Sequence, residues 1–395
     1  MKKISILGST GSIGKQTLAV IESMPDRFAV AALAAGTNLD ELTSQIARHR
    51  PDLVSVSTPA LADDLAVRLR AAGLEKLPEI QHGPPGLIAV ATHPDAAILV
   101  SAAVGVVGLE ATYAAVRAGK QVALSNKEVL VAAGELVMAA ARAANVDLLP
   151  VDSEHNAIHQ CLRAGRPSEV KRLILTASGG PFRKTPLAQM AAATPEQALA
   201  HPNWRMGKRI TIDSATLVNK GFEVIEAHWL FDIPPARIDV LIHPQSTVHS
   251  MVEFVDGSIL AQLGPPDMRM PIQYALTYPE RAASNHIALD LAKLRRLDFA
   301  TVSTRRFPCL RLAREALKKK GAYSCVFNAA DEVAVEAFLD RRLPFPGIAE
   351  VIERVLARAP RAKIASIADV LAADAEARRL AREEIANLAA KAAVV

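Results

Sequence analysis

The sequence predicts an α/β protein with a parallel sheet in its N-terminal part, a second α/β region and a helical C-terminal region. Three observations support this prediction. The chain has 395 residues, more than one hydrophobic core usually serves, so two or three domains are expected. Short runs of Val, Ile and Leu alternate with Ala-rich helical patterns up to about residue 150. From Cys309 onward, apolar residues recur at helical spacing instead.

The N-terminal strands are short, apolar and separated by helices, which is typical of a parallel sheet covered on both faces. Six strands are predicted, at residues 4–7, 29–33, 53–57, 97–100, 121–124 and 146–151. Ligands of such sheets bind at the carboxyl ends of the strands. Residues that directly follow a strand are therefore the first candidates for a functional site.

The second region has strands of its own at 173–176 and 240–243, followed by a hairpin whose arms flank Asp256 and Gly257. The C-terminal helical pattern is broken at Pro344 and Pro346, which predicts a small helical bundle. We therefore divide the chain into four parts, at residues 1–150, 151–290, 291–308 as a linker, and 309–395.

Composition argues against several classes of protein. The net charge of +5 comes from 46 basic and 41 acidic residues mixed along the chain, and aromatic residues are only 4%, which disfavours nucleic-acid binding. The three cysteines have neither metal-ligand nor redox-motif spacing. The longest apolar stretch, 98–109, is too short to span a bilayer, and no signal peptide is evident. We expect a cytoplasmic protein without membrane or nucleic-acid partners.

The first strand leads into Gly8, Gly11 and Gly14, spaced G-x-x-G-x-x-G before a helical run toward Glu22. Glycines permit a tight turn, and the N-terminus of the following helix presents N–H groups to a pyrophosphate. The spacing departs from the usual dinucleotide fingerprint. A strand before the loop and a helix after it nevertheless favour a dinucleotide site over a simple turn.

The second strand is followed by Ala34-Ala35-Gly36-Thr37-Asn38, which contains no acidic residue. NAD-binding proteins commonly place a carboxylate there for the ribose. Its absence removes repulsion toward a 2′-phosphate, so NADP is favoured, although no arginine stands there either.

Residues 213–226 read DSATLVNKGFEVIE. Asn219, Lys220 and Glu223 span about one helical turn, so an amide, an ammonium and a carboxylate can converge. Together with the Ser214 hydroxyl, these groups suit a small phosphorylated ligand beside a cation. An N-capped surface helix with an ordinary Lys/Glu pair is the alternative.

Three carboxylates form a candidate metal site. Asp152 and Glu154 follow the strand at 146–151 and share a face if the strand continues, where they repel each other unless a cation or proton intervenes. With Glu223 they offer three oxygen donors, a set that suits Mg²⁺ or Mn²⁺. No cysteine or two-histidine motif indicates zinc.

Three further segments are candidates. Residues 125–128, SNKE, follow a strand and should lie at the ligand-binding edge, with a surface turn as the alternative. Ser178-Gly179-Gly180 is a candidate anion loop, or a simple turn. Trp204 stands in a loop-like segment, either as a packing anchor or as part of a lid that closes on ligand.

Eight stretches, in order along nearly the whole chain, match a known family: GSTGSIG, SNKE, VDSEHNAI, SGGPF, HPNWRMGKRITIDSATLVNKGFE, HPQSTVHSM, LGPPDMRMPI and NAADEVAVEAF. The chain resembles the 1-deoxy-D-xylulose 5-phosphate reductoisomerases. This resemblance implies a Rossmann-like NADPH-binding domain, a catalytic domain with a flap, a C-terminal α-helical domain and a homodimer.

The resemblance also implies roles for individual residues. The expected NADPH contacts are Thr10, Gly11, Ser12, Ile13, Gly36, Thr37, Asn38, Asn126, Glu128 and Gly207. The expected metal ligands are Asp152, Glu154 and Glu223, which with Lys127 form the expected catalytic set. The expected substrate contacts are Lys127, Ser153, Glu154, Ser178, His201, Ser214, Asn219, Lys220 and Glu223. Trp204 and Met206 of the flap, with Met268, would cover the substrate, and His155 and His249 would support the site.

Two positions depart from the family pattern. A basic residue is frequent where Thr37 stands, and an aromatic residue where His159 stands. The first departure bears on the strength of the NADP preference.

The activity that the resemblance implies is a metal-dependent rearrangement and NADPH-dependent reduction of 1-deoxy-D-xylulose 5-phosphate to 2-C-methyl-D-erythritol 4-phosphate, in the non-mevalonate route to isoprenoid precursors. The metal is expected to be Mg²⁺ or Mn²⁺, with Co²⁺ as a further candidate. Two alternatives stay open. One is an NADP-dependent dehydrogenase of another small phosphorylated substrate, without rearrangement. The other is an NADP-sensing regulator, which should lack clustered carboxylates.

Overall fold

The structure, a computed structural model, describes residues 1–204, 206–284 and 288–392. Arg205, in the predicted flap, lies outside the described residues. The chain forms two compact units. The first contains Met1–Val129, Val137–Asn156 and the described part of 267–286, and the second contains Leu130–Leu136, Ala157–Pro266 and the remaining described residues. None of the described helices combines the length and apolar character needed to cross a bilayer.

The first unit is built on a seven-stranded, wholly parallel sheet in the order β4-β3-β2-β1-β5-β6-β7. Its strands are β1 (Lys2–Leu7), β2 (Phe28–Ala34), β3 (Leu53–Val56), β4 (Glu79–His82), β5 (Ala96–Ser101), β6 (Gln121–Leu124) and β7 (Leu148–Pro150). All six predicted strands are present. The seventh, β4, was not predicted because it is an edge strand, partly exposed along its length, and lacks an apolar run.

Helices cover this sheet. They are α1 (Ser12–Glu22), α2 (Leu39–His49), α3 (Pro59–Ala71), α4 (Gly83–Ala91), α5 (Leu109–Arg117) and α12 (Arg269–Thr277), while α6 (Lys127–Ala144) and α7 (Ser153–Leu162) contribute residues to both units. The core contains Ile4, Ile6 and Ile98 from the strands together with Ile272 and Leu276 from α12. A helix distant in sequence therefore completes the first core.

The second unit holds a five-stranded sheet in the order β11-β10-β8-β9-β12. Its strands are β8 (Val170–Ala177), β9 (Ile238–Ile242), β10 (Val248–Phe254), β11 (Ile259–Leu263) and β12 (Ala300–Thr301). Only β8 and β9 are paired in parallel; the other pairings are antiparallel. The β10–β11 hairpin turns at Gly257, whose φ is +89°, as the Asp256-Gly257 signal predicts.

The rest of the second unit is helical. Its helices are α8 (Leu187–Ala191), α9 (Pro195–Leu199), α10 (Lys208–Thr216), α11 (Val218–Phe231), α13 (Leu291–Leu294), α14 (Pro308–Lys319), α15 (Tyr323–Leu339), α16 (Phe345–Arg358) and α17 (Ile367–Ala392). A Cβ on Gly221 would lie 2.6 Å from the Ala313 Cβ, so α11 and α14 pack in close contact. The predicted break at Pro344 is the N-cap of α16. The predicted fold class is confirmed.

Candidate active site

The loop between β1 and α1 is shaped by its glycines. A Cβ on Gly8, whose φ is +80°, would lie 2.5 Å from the Ala102 carbonyl oxygen, and one on Gly14 would lie 2.4 Å from the Gly8 carbonyl oxygen. Within the described chain, no side chain caps α1 and its first turn has no acidic residue. Its N-terminal N–H groups and positive dipole end therefore suit an anion. The predicted cofactor contacts Thr10, Gly11, Ser12 and Ile13 lie in this loop and in the first turn of α1.

The segment Gly36-Thr37-Asn38 follows β2, the strand beside β1, and its three residues are exposed. The Asn38 side chain accepts a hydrogen bond from the Glu41 N–H at 3.2 Å and so caps α2. Part of this segment therefore has a structural role that the sequence reasoning missed. The Ser/Asn-before-acid spacing typical of helix N-termini would have indicated it.

Asn126 and Glu128 both bind the loop that follows β5. The Asn126 amide donates to the Gly105 carbonyl at 2.9 Å, and Glu128 Oε1 accepts from the Gly105 N–H at 3.3 Å. Asn126 also caps α6 by accepting from the Glu128 N–H at 3.0 Å, and it is 3% exposed. These contacts and this burial argue against the surface-turn alternative for residues 125–128. The loop displays Val104 and Val107, which are 74% and 67% exposed, at the same edge of the sheet.

Lys127, Asp152 and His155 lie close together in the first unit. The Lys127 ammonium is ion-paired with Asp152, and His155 Nδ1 lies 3.4 Å from Asp152 Oδ2. Burial raises the pKa of Asp152, but Lys127 and His155 outweigh that effect and hold the pKa well below its usual range. Asp152 is therefore a carboxylate at neutral pH.

The backbone around Asp152 and Glu154 differs from the expectation. The strand does not continue through these residues: β7 ends at Pro150, and α7 begins at Ser153. The Val151 N–H still donates to the Leu124 carbonyl of β6 at 2.8 Å, but the chain then turns at Asp152 and starts a helix. Glu154 thus lies in the first turn of α7, where its carboxylate accepts a hydrogen bond from the Ser153 hydroxyl.

Asn219, Lys220 and Glu223 lie on one turn of α11, as predicted. Lys220 is 3% exposed and Glu223 is 0% exposed, which excludes the surface-helix alternative. The Asn219 amide donates to Glu223 Oε1 at 2.6 Å, and the Lys220 ammonium is ion-paired with Glu223 Oε2. An amide, a cation and a carboxylate are therefore held together in the buried part of the second unit.

The Ser178 loop approaches the helix that carries Ser214. Gly179 and Gly180 have φ values of +82° and +63°, and a Cβ on Gly180 would lie 2.8 Å from the Ser214 carbonyl oxygen. Only glycine fits this conformation and this approach without strain. The segment is thus more than a simple turn, since it brings two predicted phosphate contacts onto neighbouring backbone.

His201 is held in one tautomer. Its Nδ1 accepts backbone N–H groups from Trp204 at 2.9 Å and Asn203 at 3.2 Å, so Nε2 carries the proton and donates to Ser178 Oγ at 2.9 Å. The Ser178 oxygen also accepts from the Gly180 N–H at 3.2 Å. With both acceptor positions engaged, the Ser178 proton is left to donate. Burial lowers the pKa of His201, which keeps the ring neutral.

The flap segment rests on the loop after β9. The Asn203 amide donates to the Pro244 carbonyl at 2.6 Å and to Ser246 Oγ at 3.0 Å. The Trp204 ring lies 6.4 Å from the His249 ring, centroid to centroid. Sequence reasoning missed Asn203 and Ser246, although both stand in the quoted family motifs.

The remaining predicted residues are dispersed. Met206 is half-buried, Gly207 is the exposed N-cap of α10, and His249 is buried in β10. Met268 packs partly buried against the core of the first unit. His159 lies within the first two turns of α7.

Comparison with known proteins identifies the family. The 1-deoxy-D-xylulose 5-phosphate reductoisomerase profile matches residues 4–134, its C-terminal domain profile matches 148–231, and a further DXP reductoisomerase C-terminal domain profile matches 263–380. A reductoisomerase from Solibacter usitatus is 52% identical over 396 residues, covering 100% of both chains. One from Dechloromonas aromatica is 53% identical, covering 98% of each chain. The chain belongs to the 1-deoxy-D-xylulose 5-phosphate reductoisomerase family.

Solved structures of reductoisomerases agree with this assignment. The enzyme from Zymomonas mobilis in complex with NADPH is 46% identical, with a TM-score of 0.91 over 97% of this chain and 99% of that one. A DOX-P reductoisomerase in complex with NADPH, fosmidomycin and magnesium is 40% identical, with a TM-score of 0.92 over 98% and 99%. Family membership and fold, inferred from eight motifs, are thereby confirmed.

Proposed function

We propose that this chain converts 1-deoxy-D-xylulose 5-phosphate into 2-C-methyl-D-erythritol 4-phosphate, by a metal-dependent rearrangement followed by reduction with NADPH. The observation that carries the proposal is the buried turn of α11, where Asn219 and Lys220 provide phosphate donors beside the Glu223 carboxylate. Reductoisomerases that match the whole chain support the same reaction.

The first unit fits NADPH. The glycine loop would let a pyrophosphate approach its backbone closely, and the N-terminus of α1 supplies N–H donors. The exposed Thr37 places no negative charge where the 2′-phosphate would lie. The exposed apolar side chains of Val104 and Val107 suit the nicotinamide end of the cofactor.

Asp152, Glu154 and Glu223 fit a hard divalent cation. All three are largely buried carboxylates, and Asp152 is held ionised at neutral pH. Buried carboxylates need a positive partner, and oxygen donors are the ligands that Mg²⁺ and Mn²⁺ prefer. When bound, such an ion would stabilise negative charge on the substrate oxygens while NADPH supplies the hydride.

The second unit would bind the substrate phosphate. The Ser178 oxygen accepts from His201 and Gly180, which leaves its proton to donate, and Lys220 adds a buried positive charge. Charge-assisted hydrogen bonds of this kind fix the substrate far from its reacting carbons. The resulting orientation, together with exclusion of water by the flap residues Trp204 and Met206, raises turnover as well as affinity.

Lys127 would act at the reacting end. Its ammonium is fixed by Asp152 and is 11% exposed, so it keeps little contact with water. A cation in that setting can donate a hydrogen bond to a developing oxyanion or transfer a proton to it. Ser153, which donates to Glu154, holds that carboxylate in one orientation.

The experiment that tests this function follows NADPH absorbance with purified protein and 1-deoxy-D-xylulose 5-phosphate. We expect oxidation of NADPH only when a divalent ion is present, and its loss on addition of EDTA. Oxidation that is unaffected by EDTA would favour the simple dehydrogenase instead. A regulator without catalytic activity would consume no NADPH at all.

Several finer statements belong to the same proposal. We propose a homodimer, a place in the non-mevalonate route to isoprenoid precursors, and use of Mn²⁺ or Co²⁺ in place of Mg²⁺. A cytoplasmic location, and the domain limits at residues 150, 290 and 308, stay predictions from the sequence.

A further inference from the structure

The loop between β9 and β10 belongs to a quoted family motif that the proposed chemistry does not use. Its residues 243–247 read HPQST, and most of their side chains are buried. We call these residues the docking loop, because the flap segment, residues 201–204, rests on them through Asn203. The Asn203 amide donates to the Pro244 carbonyl and to Ser246 Oγ. The shape of the docking loop therefore determines where the flap segment lies.

The docking loop is folded around His243, which has no exposed surface. His243 Nε2 accepts backbone N–H groups from Thr247 at 3.2 Å and Val248 at 3.1 Å, so the ring proton lies on Nδ1. Ser246 has a φ of +51°, a left-handed conformation that a serine keeps only where surrounding contacts hold it. The docking loop is thus a constrained turn, and it depends on contacts with its surroundings.

Asp298 and Phe299, from the predicted linker, supply such contacts. His243 Nδ1 donates to the Asp298 carbonyl oxygen at 2.9 Å, and the His243 ring stacks on Phe299 with centroids 4.8 Å apart. The Gln245 amide donates to Asp298 Oδ2 at 2.6 Å, and Gln245 Oε1 accepts from the Asp298 N–H at 3.3 Å. Gln245 and Asp298 therefore bind each other in both directions, and one of these hydrogen bonds is charge-assisted.

This pair of residues, which we call the brace, is attached to the sheet at both ends. Asp298 stands two residues before Ala300 of β12, and Ala300 pairs with Ile242 at the end of β9. The docking loop begins at the residue after Ile242. A segment that only links two parts of the chain does not need paired contacts of this kind. We therefore look for the role of the brace in what the docking loop supports.

Direct contacts lead from the docking loop to a predicted phosphate contact. Ser246 accepts from the Asn203 side chain, and the Asn203 and Trp204 N–H groups are held by His201 Nδ1. His201 Nε2 in turn donates to Ser178 Oγ. All of these residues belong to the second unit. A displacement of the docking loop would move His201 and change the hydrogen bonds that orient Ser178.

We propose that Gln245 and Asp298 are positioning residues for the substrate. They brace the docking loop, and through it they hold the flap segment in the arrangement that binds the substrate phosphate. This inference rests on the proposed function, because it takes Ser178 to be a phosphate contact. Stabilisation of the sheet edge alone is the alternative, and it would alter Tm without altering substrate binding.

The test exchanges the two partners of the brace. Gln245→Glu places a carboxylate beside the Asp298 carboxylate and breaks the pair. Adding Asp298→Asn restores an amide opposite a carboxylate, with the side-chain hydrogen bond reversed, while the glutamate still accepts from the N–H of residue 298. Gln189→Glu, at an exposed position of α8 in the same unit, is the matched control. The measurements are substrate KM, kcat, NADPH affinity and Tm.

We expect Gln245→Glu to raise the substrate KM about tenfold or more and to lower kcat. NADPH affinity should stay within about twofold of the parent, since most predicted cofactor contacts lie in the first unit. The double variant should return KM to within about threefold of the parent. Asp298→Asn alone should stay near the parent, because asparagine keeps an acceptor for the Gln245 amide. Gln189→Glu should leave all four quantities unchanged.

Asn203→Ala shows whether the effect passes through the flap segment. This change removes the contacts with Pro244 and Ser246, so adding Gln245→Glu to it should raise KM little further. If the effects of the two changes on KM instead multiply, the brace does not act through Asn203, and the inference is overturned.

Two further results would overturn it. A folded Gln245→Glu protein that keeps the parent KM would mean that the brace does not position the flap segment. A double variant that regains the parent Tm but not the parent KM would mean that the pair only stabilises the fold. If Gln245→Glu does not fold, Gln245→Ala, which introduces no like charge, decides the first point. An unchanged KM in Ser178→Ala would instead contradict the phosphate assignment of the proposed function.

Discussion

Glu223 is the side chain on which the metal and phosphate assignments depend together. It has no exposed surface, and two neighbours on α11, Asn219 and Lys220, each engage one of its oxygens. A buried carboxylate held in this way cannot reorient freely. Its charge is therefore available at a fixed place, which is the property that a metal ligand in a catalytic site requires.

Replacing Glu223 by Gln should abolish turnover while leaving NADPH affinity nearly unchanged. The change preserves side-chain size but removes the negative charge on which cation binding depends. Steady-state turnover and NADPH binding by fluorescence are the measurements, with Glu315→Gln on the exposed face of α14 as the control. Near-normal activity of Glu223→Gln at low Mg²⁺ would contradict the assignment.

Thr37 makes the cofactor preference testable at a single residue. The neutral, exposed segment after β2 should accept the 2′-phosphate, so kcat/KM should be higher with NADPH than with NADH. Thr37→Asp introduces a like charge and should lower kcat/KM for NADPH by about tenfold or more, with little effect on NADH. Thr37→Ser is the control. Equal values for the two cofactors in the parent protein would refute the NADP assignment.

At the scale of elements, the sequence predicted what depends on local periodicity. Six parallel strands could be placed from their short apolar runs, the glycine loop from its glycines between a strand and a helix, and the α11 turn from helical spacing. The turn at Asp152 could not be predicted, because the residues after Pro150 are compatible both with a longer strand and with the start of a helix. The Asn203 contacts with Pro244 and Ser246 join residues about forty positions apart, which spacing alone does not reveal.

The flap segment should respond to pH through His201. Burial lowers the pKa of His201. Protonation would also place a hydrogen on Nδ1, which accepts the Asn203 and Trp204 N–H groups. The neutral ring therefore stabilises this arrangement of the segment at high pH. That stabilisation is lost as pH falls below the solvated value of about 6.5.

We therefore expect Trp204 fluorescence to change as pH falls below about 6.5 in substrate-free protein. Omitting substrate removes any contribution from ionisation of its phosphate. A Trp229→Phe background isolates the signal, since Trp229 is the second of the two tryptophans. His201→Asn should abolish the transition. If the transition persists in that variant, another group causes it, and His201 does not control the segment.

At the scale of the whole molecule, each of the two units is assembled from stretches that are separated in the sequence. The described part of 267–286 joins the first unit, and α12 completes that unit's core beside strands more than 100 residues away. Long-range packing of this kind leaves no periodic signal. The family resemblance was informative here because its motifs run through both units, and the matching relatives cover the chain from end to end.

A ligand with a phosphonate and a hydroxamate joined by three carbons should bind tightly, since the two ends imitate the substrate phosphate and the metal-chelating oxygens. Lys220→Ala removes one charge-assisted contact, worth about 1.5–3 kcal/mol or roughly 10–150-fold in affinity. Lys208→Ala, at an exposed lysine of α10, is the control. Calorimetry with and without EDTA is the measurement. Tight binding unaffected by both metal removal and the Lys220 change would contradict the two assignments together.

The identity of the carbon skeleton in the product tests the central claim most directly. Purified protein is incubated with 1-deoxy-D-xylulose 5-phosphate, NADPH and Mg²⁺, and the product is analysed by ¹³C NMR. We predict a branched chain, 2-C-methyl-D-erythritol 4-phosphate, formed in proportion to the NADPH consumed. A reduced product that keeps the unbranched skeleton would contradict the account, because it would show reduction without rearrangement.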